Sequence, residues 1–116
     1  MDKELVSLRI DEVIKHIDIT ENDLKDIQLE HFSGTSLLAR ATAFSIEQIY
    51  EHISKIRKYF EEDYPEIPWD KIYDTRIVIA HMYISIDCEI IYEIVKNDLP
   101  LLKEQLLVIK ANLQGI

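Results

Sequence analysis

The stretch "TSLLARATAFSIEQIYEHISKIRKYF", residues 35–60, decides the fold. A mostly apolar seam recurs along it at helical spacing, with a gap of seven residues from the first to the second position and then steps of three or four: Leu38, Ser45, Ile49, Ile53, Ile56 and Phe60. This spacing is typical of a helix that buries one face. A helix of this length has roughly seven turns. We therefore expect it to be the central helix of a bundle.

Two further segments flank this helix on its N-terminal side. The first is amphipathic, with one apolar side formed by Val6, Ile10, Val13, Ile14 and Ile17. Thr20, followed by Asp23, resembles a helix N-cap with an acidic first turn. The pattern therefore predicts a short second helix within "TENDLKDIQLEHF", residues 20–32, that stops at Ser33-Gly34.

The sequence of the C-terminal half also predicts helices. The prolines of "YPEIPW", residues 64–69, interrupt the central helix, and Pro68 suits the first turn of a helix over about 68–84. Ser85 or Asp87 then caps another helix, and Pro100 marks a restart or a kink. A seam suited to antiparallel packing begins directly before this proline and continues beyond it, at Leu99, Leu102, Leu106, Ile109 and Leu113.

Composition supports one helical domain over residues 1–116. With only two glycines and three prolines, the chain has few of the turn residues that short strands require. We predict an all-α, up-and-down bundle of four to five helices. The lone Cys88 forms no internal disulfide, no segment resembles a secretion signal, and no apolar run is as long as a membrane span. We therefore expect a cytoplasmic protein without membrane association.

The net charge of −9 bears on function, because nucleic acids are polyanions. RNA chemistry in such a chain requires a local basic patch or a partner. Lys55, Arg57 and Lys58 fall within one turn and form a candidate phosphate track, although cations near a helix C-terminus also interact favourably with the helix dipole. No His, Cys or carboxylate cluster has metal-ligand spacing, so no metal or cofactor is expected.

"YDTRIVIAHMY", residues 73–83, places Arg76, His81 and Tyr83 in an apolar helix. Arg76 and Tyr83 share a face, and His81 lies on the flank with Asp74. A second copy of the chain across a two-fold axis would complete a site that one helix leaves open. A permanently charged guanidinium and an imidazole suit RNA cleavage, with His81 taking the 2′-hydroxyl proton and Arg76 stabilising charge on the phosphate.

The pattern R-x-x-x-x-H-x-Y, with "YPEIPW" before it and "IDCEIIYEIVKNDLP" after it, resembles the HepT-like toxins of the HEPN superfamily. A weaker likeness extends to "SIEQIYEHISKI" in the central helix. The resemblance implies an all-helical homodimer with a metal-independent ribonuclease centre at its interface, formed by Arg76 and His81. It also implies an MNT-type nucleotidyltransferase antitoxin that adds AMP to Tyr83.

The same residues also allow structural interpretations. Arg76 could form a structural ion pair with Glu51 or Asp74, residues that otherwise support the site. Ile77 stands where the family usually has a polar residue, and Tyr50 where it usually has a small one. These two positions favour an alternative, a non-catalytic module that binds a nucleotidyltransferase or a nucleotide.

Overall fold

The computed structural model describes residues 1–32, 36–80 and 87–115, with the backbone alone over residues 75–80. Its helices are α1 (Lys3–Leu24), α2 (Leu37–Phe60), α3 (Trp69–Ala80), α4 (Cys88–Glu93) and α5 (Leu99–Leu113). A 3₁₀ turn at Leu29–His31 follows α1, and a π-helical turn at Ile94–Asp98 joins α4 to α5. The described part of the chain contains no strand, and the predicted all-α bundle is confirmed.

Helix α2 is the central helix that the sequence predicts. The side chain of Ser36 accepts a hydrogen bond from the Ala39 amide at 3.0 Å, which caps the N-terminus of α2. The predicted seam is buried from Ser45 to Phe60, and Leu38 packs at the edge of the core. Apolar side chains from every helix with described side chains join this one core.

The predicted short second helix is wrong. Helix α1 continues through Thr20 to Leu24, and only the 3₁₀ turn at Leu29–His31 follows it. Thr20 is fully buried, and its Oγ1 donates to the Ile17 carbonyl oxygen at 3.0 Å. The hydroxyl is therefore satisfied inside a helix, so Thr20 does not cap a new one. The proposed stop at Ser33-Gly34 lies outside the described residues.

The end of α1 is held by the π-helical turn and the helix before it. Lys96 Nζ donates to the Leu24 carbonyl oxygen at 2.8 Å, and the Tyr92 hydroxyl donates to the Ile27 carbonyl oxygen at 2.8 Å. The last carbonyls of a helix have no partner within the helix. These two side chains supply donors at and just beyond that end.

Helix α5 packs antiparallel to α1, as its seam predicts. Lys103 Nζ lies 2.6 Å from Asp18 Oδ1, and Lys110 Nζ lies 2.6 Å from Asp11 Oδ1. The helix restarts at Leu99, whose amide donates to the Ile94 carbonyl oxygen five residues back. Pro100 cannot donate a hydrogen bond, and the π-helical turn directly before α5 accommodates the proline at the start of that helix. No described helix is long and apolar enough to cross a membrane.

Candidate functional site

Helix α3 carries the first residue of the predicted motif. Its start is anchored by Trp69, whose Nε1 donates to the Tyr64 carbonyl oxygen at 3.0 Å, and by buried Ile67 and Ile72. These contacts fix the course of α3 against α2. Arg76 lies within α3, one helical turn beyond Ile72.

Much of the predicted catalytic set lies outside the described residues. That holds for His81 and Tyr83, for the predicted end of this helix at Ile84, and for the Ser85 cap. The side chain of Arg76 is likewise not described. The other predicted cap, Asp87, is confirmed, since its Oδ1 accepts from the Ile90 amide at 3.2 Å.

The two carboxylates predicted to support the site lie on different helices. Asp74 is exposed on α3. Glu51 lies on α2, where its Oε1 is 3.7 Å from Lys55 Nζ, a spacing of four residues along the helix. Glu51 therefore faces the same side of α2 as Lys55.

The three cations of the candidate phosphate track do not share one surface. Arg57 Nε donates to Glu61 Oε2 at 2.7 Å, and its Nη2 donates to Asp70 Oδ1 at 2.6 Å. The hydrogen bonds to Asp70 and then to Glu61 raise the pKa of the Arg57 guanidinium. Arg57 therefore bridges α2 and α3, whereas Lys55 and Lys58 face α1.

A cationic groove between α1 and α2 contains the remaining two lysines. We define it by Arg9, Lys55, Lys58 and Tyr59, which line an open cavity of about 350 Å³. Lys58 Nζ lies 5.2 Å from the centre of the Tyr59 ring. Asp2 also lines the groove, although its carboxylate accepts from the Leu5 amide. Cations beside an exposed aromatic ring are the features that single-stranded nucleic acid binds.

Arg9 also contacts a histidine beside this groove, His52, and affects its protonation. Its Nη1 donates to His52 Nδ1 at 3.2 Å, so that nitrogen carries no proton. Burial, and after it the charge of Arg9, lowers the pKa of His52. The charged form of His52 is therefore disfavoured in the folded protein. Nothing in the sequence pattern singled out this contact, because 43 residues separate the two positions.

Tyr50 occupies the core side of α2. Its side chain is only 3% exposed, and its hydroxyl makes no hydrogen bond with any described residue. Burial, and after it the Asp98 carboxylate, raises the pKa of the phenol. Tyr50 lines a cavity between α2, α3 and α5, as well as one beside Arg57 and Tyr73. The sequence indicated a bulky residue at a family position, but not these cavities.

Metal binding has no obvious site in the described part of the chain. No group of three or more His, Cys, Asp or Glu side chains converges there. Cys88 is half-buried at the start of α4, and burial, with the charge of Asp87, raises the pKa of its thiol.

The motif helix α3 is part of a helical bundle. Comparison with known proteins identifies the family to which the chain belongs. A family model described as "Ribonuclease HepT-like" matches residues 10–109, a span that includes Arg76 and His81. The chain belongs to this HepT-like family of the HEPN superfamily, and the predicted family is confirmed. The enzyme class of the family, ribonuclease, agrees with the class predicted from the sequence.

Curated relatives carry names of the same kind. A Methanocaldococcus jannaschii protein named "Gamma-glutamylcyclotransferase and putative RNase" is 31% identical over 93% of this chain, which spans only 49% of that relative's length. A Thermococcus cleftensis protein named "Probable ribonuclease HepT" is 28% identical over 81% of this chain and 86% of its own. No solved structure matches the chain.

Proposed function

We propose that this protein is a metal-independent endoribonuclease that acts as a homodimer. The observation that carries the proposal is the position of the Arg76–His81 motif inside the region matched by the HepT-like ribonuclease family. The names of the relatives from Methanocaldococcus jannaschii and Thermococcus cleftensis support RNA as the substrate.

The residue types define a balanced cleavage step. His81 takes the proton from a ribose 2′-hydroxyl, whose oxygen attacks the adjacent phosphorus. The bond from phosphorus to the 5′ oxygen breaks, and that oxygen takes a proton from the imidazolium of the second histidine in the dimeric centre. Arg76 stabilises the charge that develops on the phosphate oxygens. The products are a 2′,3′-cyclic phosphate and a 5′-hydroxyl, and DNA is not cleaved because it lacks the nucleophile.

The biological role in this proposal is that of a toxin in the cytoplasm. An MNT-type nucleotidyltransferase would act as the antitoxin and transfer AMP to the Tyr83 hydroxyl. The resemblance of the motif and membership in the HepT-like family support this pairing. AMP on Tyr83, two residues beyond His81, adds bulk and negative charge next to the proposed catalytic centre, and so it would repel RNA phosphates.

In this proposal the cationic groove binds the phosphates of the RNA backbone. Lys55 and Lys58 belong to it, together with Arg9 from α1. Arg57 is engaged with Glu61 and Asp70, so we assign it to the packing of α3. Such a local positive surface is what an acidic chain needs to bind a polyanion.

The test uses single-stranded RNA and excess EDTA. The purified protein should cleave the RNA and leave cyclic-phosphate ends. His81→Ala should lower the rate by at least a hundredfold, because general acid–base catalysis contributes about 10²–10⁴-fold. His31→Ala, at an exposed histidine of the 3₁₀ turn, is the matched control.

Two outcomes would contradict the proposal. Cleavage that survives His81→Ala would defeat the assignment of His81. Intact RNA together with tight binding of the nucleotidyltransferase would favour the non-catalytic interaction module instead. Folding of each variant is checked by circular dichroism, so that loss of structure is not read as loss of catalysis.

A further inference from the structure

A polar seam runs between α1 and α2 next to the cationic groove. Along this seam, Arg9 Nη1 donates to His52 Nδ1 at 3.2 Å, and His16 Nδ1 lies 3.3 Å from Ser45 Oγ. The two helices are antiparallel, since the later residue of α1 pairs with the earlier residue of α2. Arg9 belongs to both features, because its side chain lines the groove and also contacts His52.

Arg9 has donors left for a ligand. A guanidinium carries five N–H groups, and the contact with His52 uses one of them. Among the described residues, no carboxylate forms an ion pair with Arg9, although the chain has a net charge of −9. The remaining N–H groups can bind phosphate oxygens in pairs, which is the geometry that a guanidinium favours.

The charged groups that face His52 come from the two helices beside it. Arg9, Glu12 and His16 face it from α1, and Lys55 follows it by three residues on α2. Burial, and after it the charge of Arg9, lowers the pKa of His52, whereas Glu12 acts in the opposite direction. The neutral imidazole is also the form that can accept from Arg9. His52 therefore resists a proton because it is partly buried beside a cation.

A phosphate bound to Arg9 would change this balance. It would lie on the outer edge of the same planar guanidinium that contacts His52. An opposite charge within about 4–6 Å favours the charged form of a titratable group, and neutralising a nearby like charge acts in the same direction. Bound phosphate therefore makes His52 easier to protonate. Because binding free energies are reciprocal, protonation of His52 must strengthen phosphate binding by the same factor.

We propose that His52 links RNA binding in the cationic groove to proton uptake: a backbone phosphate binds at Arg9, and His52 takes up one proton from solvent. This inference rests on the proposed ribonuclease function, because it takes the phosphates of RNA as the ligand. The protonated ring no longer accepts from Arg9, and its Nδ1–H becomes an additional donor beside the guanidinium. The affinity of the groove for single-stranded nucleic acid therefore rises as the pH falls below neutrality.

The first test measures binding without cleavage. The probe is a single-stranded DNA of about ten thymidines, which is within the usual site size for such proteins. Its phosphates resemble those of RNA, thymine does not titrate near neutral pH, and DNA lacks the 2′-hydroxyl that cleavage requires. Fluorescence anisotropy with a pH-insensitive label gives the dissociation constant at about pH 7.5 and pH 5.5, on either side of the ordinary pKa of histidine. Ionic strength is kept low and constant, because salt weakens such binding.

We expect the wild-type protein to bind this DNA about three- to tenfold more tightly at the lower pH, since one unit of pKa change on binding corresponds to a tenfold change in affinity. His52→Gln keeps an acceptor for Arg9 but cannot titrate, so most of this change should disappear. His31→Gln, at an exposed histidine of the 3₁₀ turn, should keep the full wild-type change. Circular dichroism at both pH values confirms that each variant is folded.

The second test follows the proton itself. NMR titration of the His52 ring gives its pKa in the free protein and in the presence of saturating DNA, and this reading does not depend on the other histidines. We expect the pKa to rise on binding. Arg9→Gln should weaken binding at both pH values and should remove most of this rise. Arg40→Gln, at an exposed arginine near the start of α2, should leave both unchanged.

The two proposals fail in different ways. A pKa of His52 that binding leaves unchanged, an equal effect of pH in His52→Gln, or no binding of the DNA at either pH overturns the proton linkage even if RNA is cleaved. An effect of pH on DNA binding that requires His52 supports the linkage even if the protein leaves RNA intact, an outcome that overturns the ribonuclease proposal alone.

Discussion

Arg57 in the last turn of α2 donates from Nη2 to Oδ1 of Asp70 in the first turn of α3, at 2.6 Å. The same guanidinium also donates to Glu61, the C-cap residue of α2, so one side chain links the end of α2 to the start of α3. Arg presents its donors in a rigid planar fork, which suits two carboxylates at once. The contact ties the start of α3, the helix that carries Arg76, to the end of α2.

Replacing Asp70 tests this link. Asp70→Asn removes one of the two carboxylates, so the urea midpoint of unfolding should fall slightly at low salt. The difference should vanish near 1 M salt, where the Debye length is about 3 Å, because the pair is exposed. Glu62→Gln, at an exposed carboxylate beside the same turn, is the control. An equal loss of stability at both salt concentrations would mean that Asp70 acts through packing.

Core substitution on α2 should have a much larger effect. Ile53 is 1% exposed and lies in the seam that faces the rest of the bundle. Ile53→Ala removes buried methyl and methylene groups and leaves a cavity, so we expect the free energy of unfolding to fall by about 2–5 kcal/mol. Urea denaturation measures this change. Leu8→Ala, at a residue 57% exposed on α1, should change it by less than about 0.5 kcal/mol. Similar losses at the two sites would place Ile53 outside the core.

Sequence reasoning located the helices where the apolar period was long and strong. The α2 seam repeats over six positions, and all of its members from Ser45 onward are buried. The predicted helix start at Thr20 was wrong because a threonine hydroxyl can either cap a helix or donate to a carbonyl within one. Which of the two it does depends on burial. The true end of α1 is fixed by Lys96, 72 residues away, and a local pattern cannot contain that contact.

The family and its ribonuclease class were predictable from the motif, but the surfaces around the candidate site were not. Neighbouring positions on a helix point about 100° apart, so Arg57 and Lys58 face different partners although they are adjacent in sequence. Tertiary packing determines which carboxylate lies next to each face of the helix. Pairing of Arg57 with Asp70, and of Arg9 with His52, therefore emerged only from the fold.

The Tyr92 hydroxyl should matter for the segment after α1. It donates to the Ile27 carbonyl oxygen at 2.8 Å, while its ring packs against Phe32 with centroids 6.2 Å apart. Tyr92→Phe keeps the ring contact and leaves the carbonyl without this donor. We expect a loss of about 0.5–1.5 kcal/mol in the free energy of unfolding, measured in urea. Tyr73→Phe should have no such effect, since the described residues offer its hydroxyl no hydrogen bond. An unchanged stability in Tyr92→Phe would mean that water replaces the donor fully.

His52 should make stability depend on pH below neutrality. Burial and the charge of Arg9 lower its pKa in the folded protein from the ordinary 6.5, although Glu12 opposes the shift. Below about pH 6.5 the unfolded chain binds a proton that the folded protein resists, so protonation favours unfolding. The contribution of His52 to stability is therefore complete above pH 6.5 and is lost as the pH falls through the lower folded pKa.

The measurement is a series of urea denaturations between about pH 7.5 and pH 5, spanning the ordinary pKa of histidine. His52→Gln keeps a polar acceptor for Arg9 but cannot titrate, so its stability should fall less steeply with decreasing pH than that of the wild type. His31→Gln, at an exposed histidine, should leave the wild-type slope unchanged. Identical slopes in the wild type and His52→Gln would mean that burial and the charge of Arg9 do not lower the pKa of His52 in the folded protein.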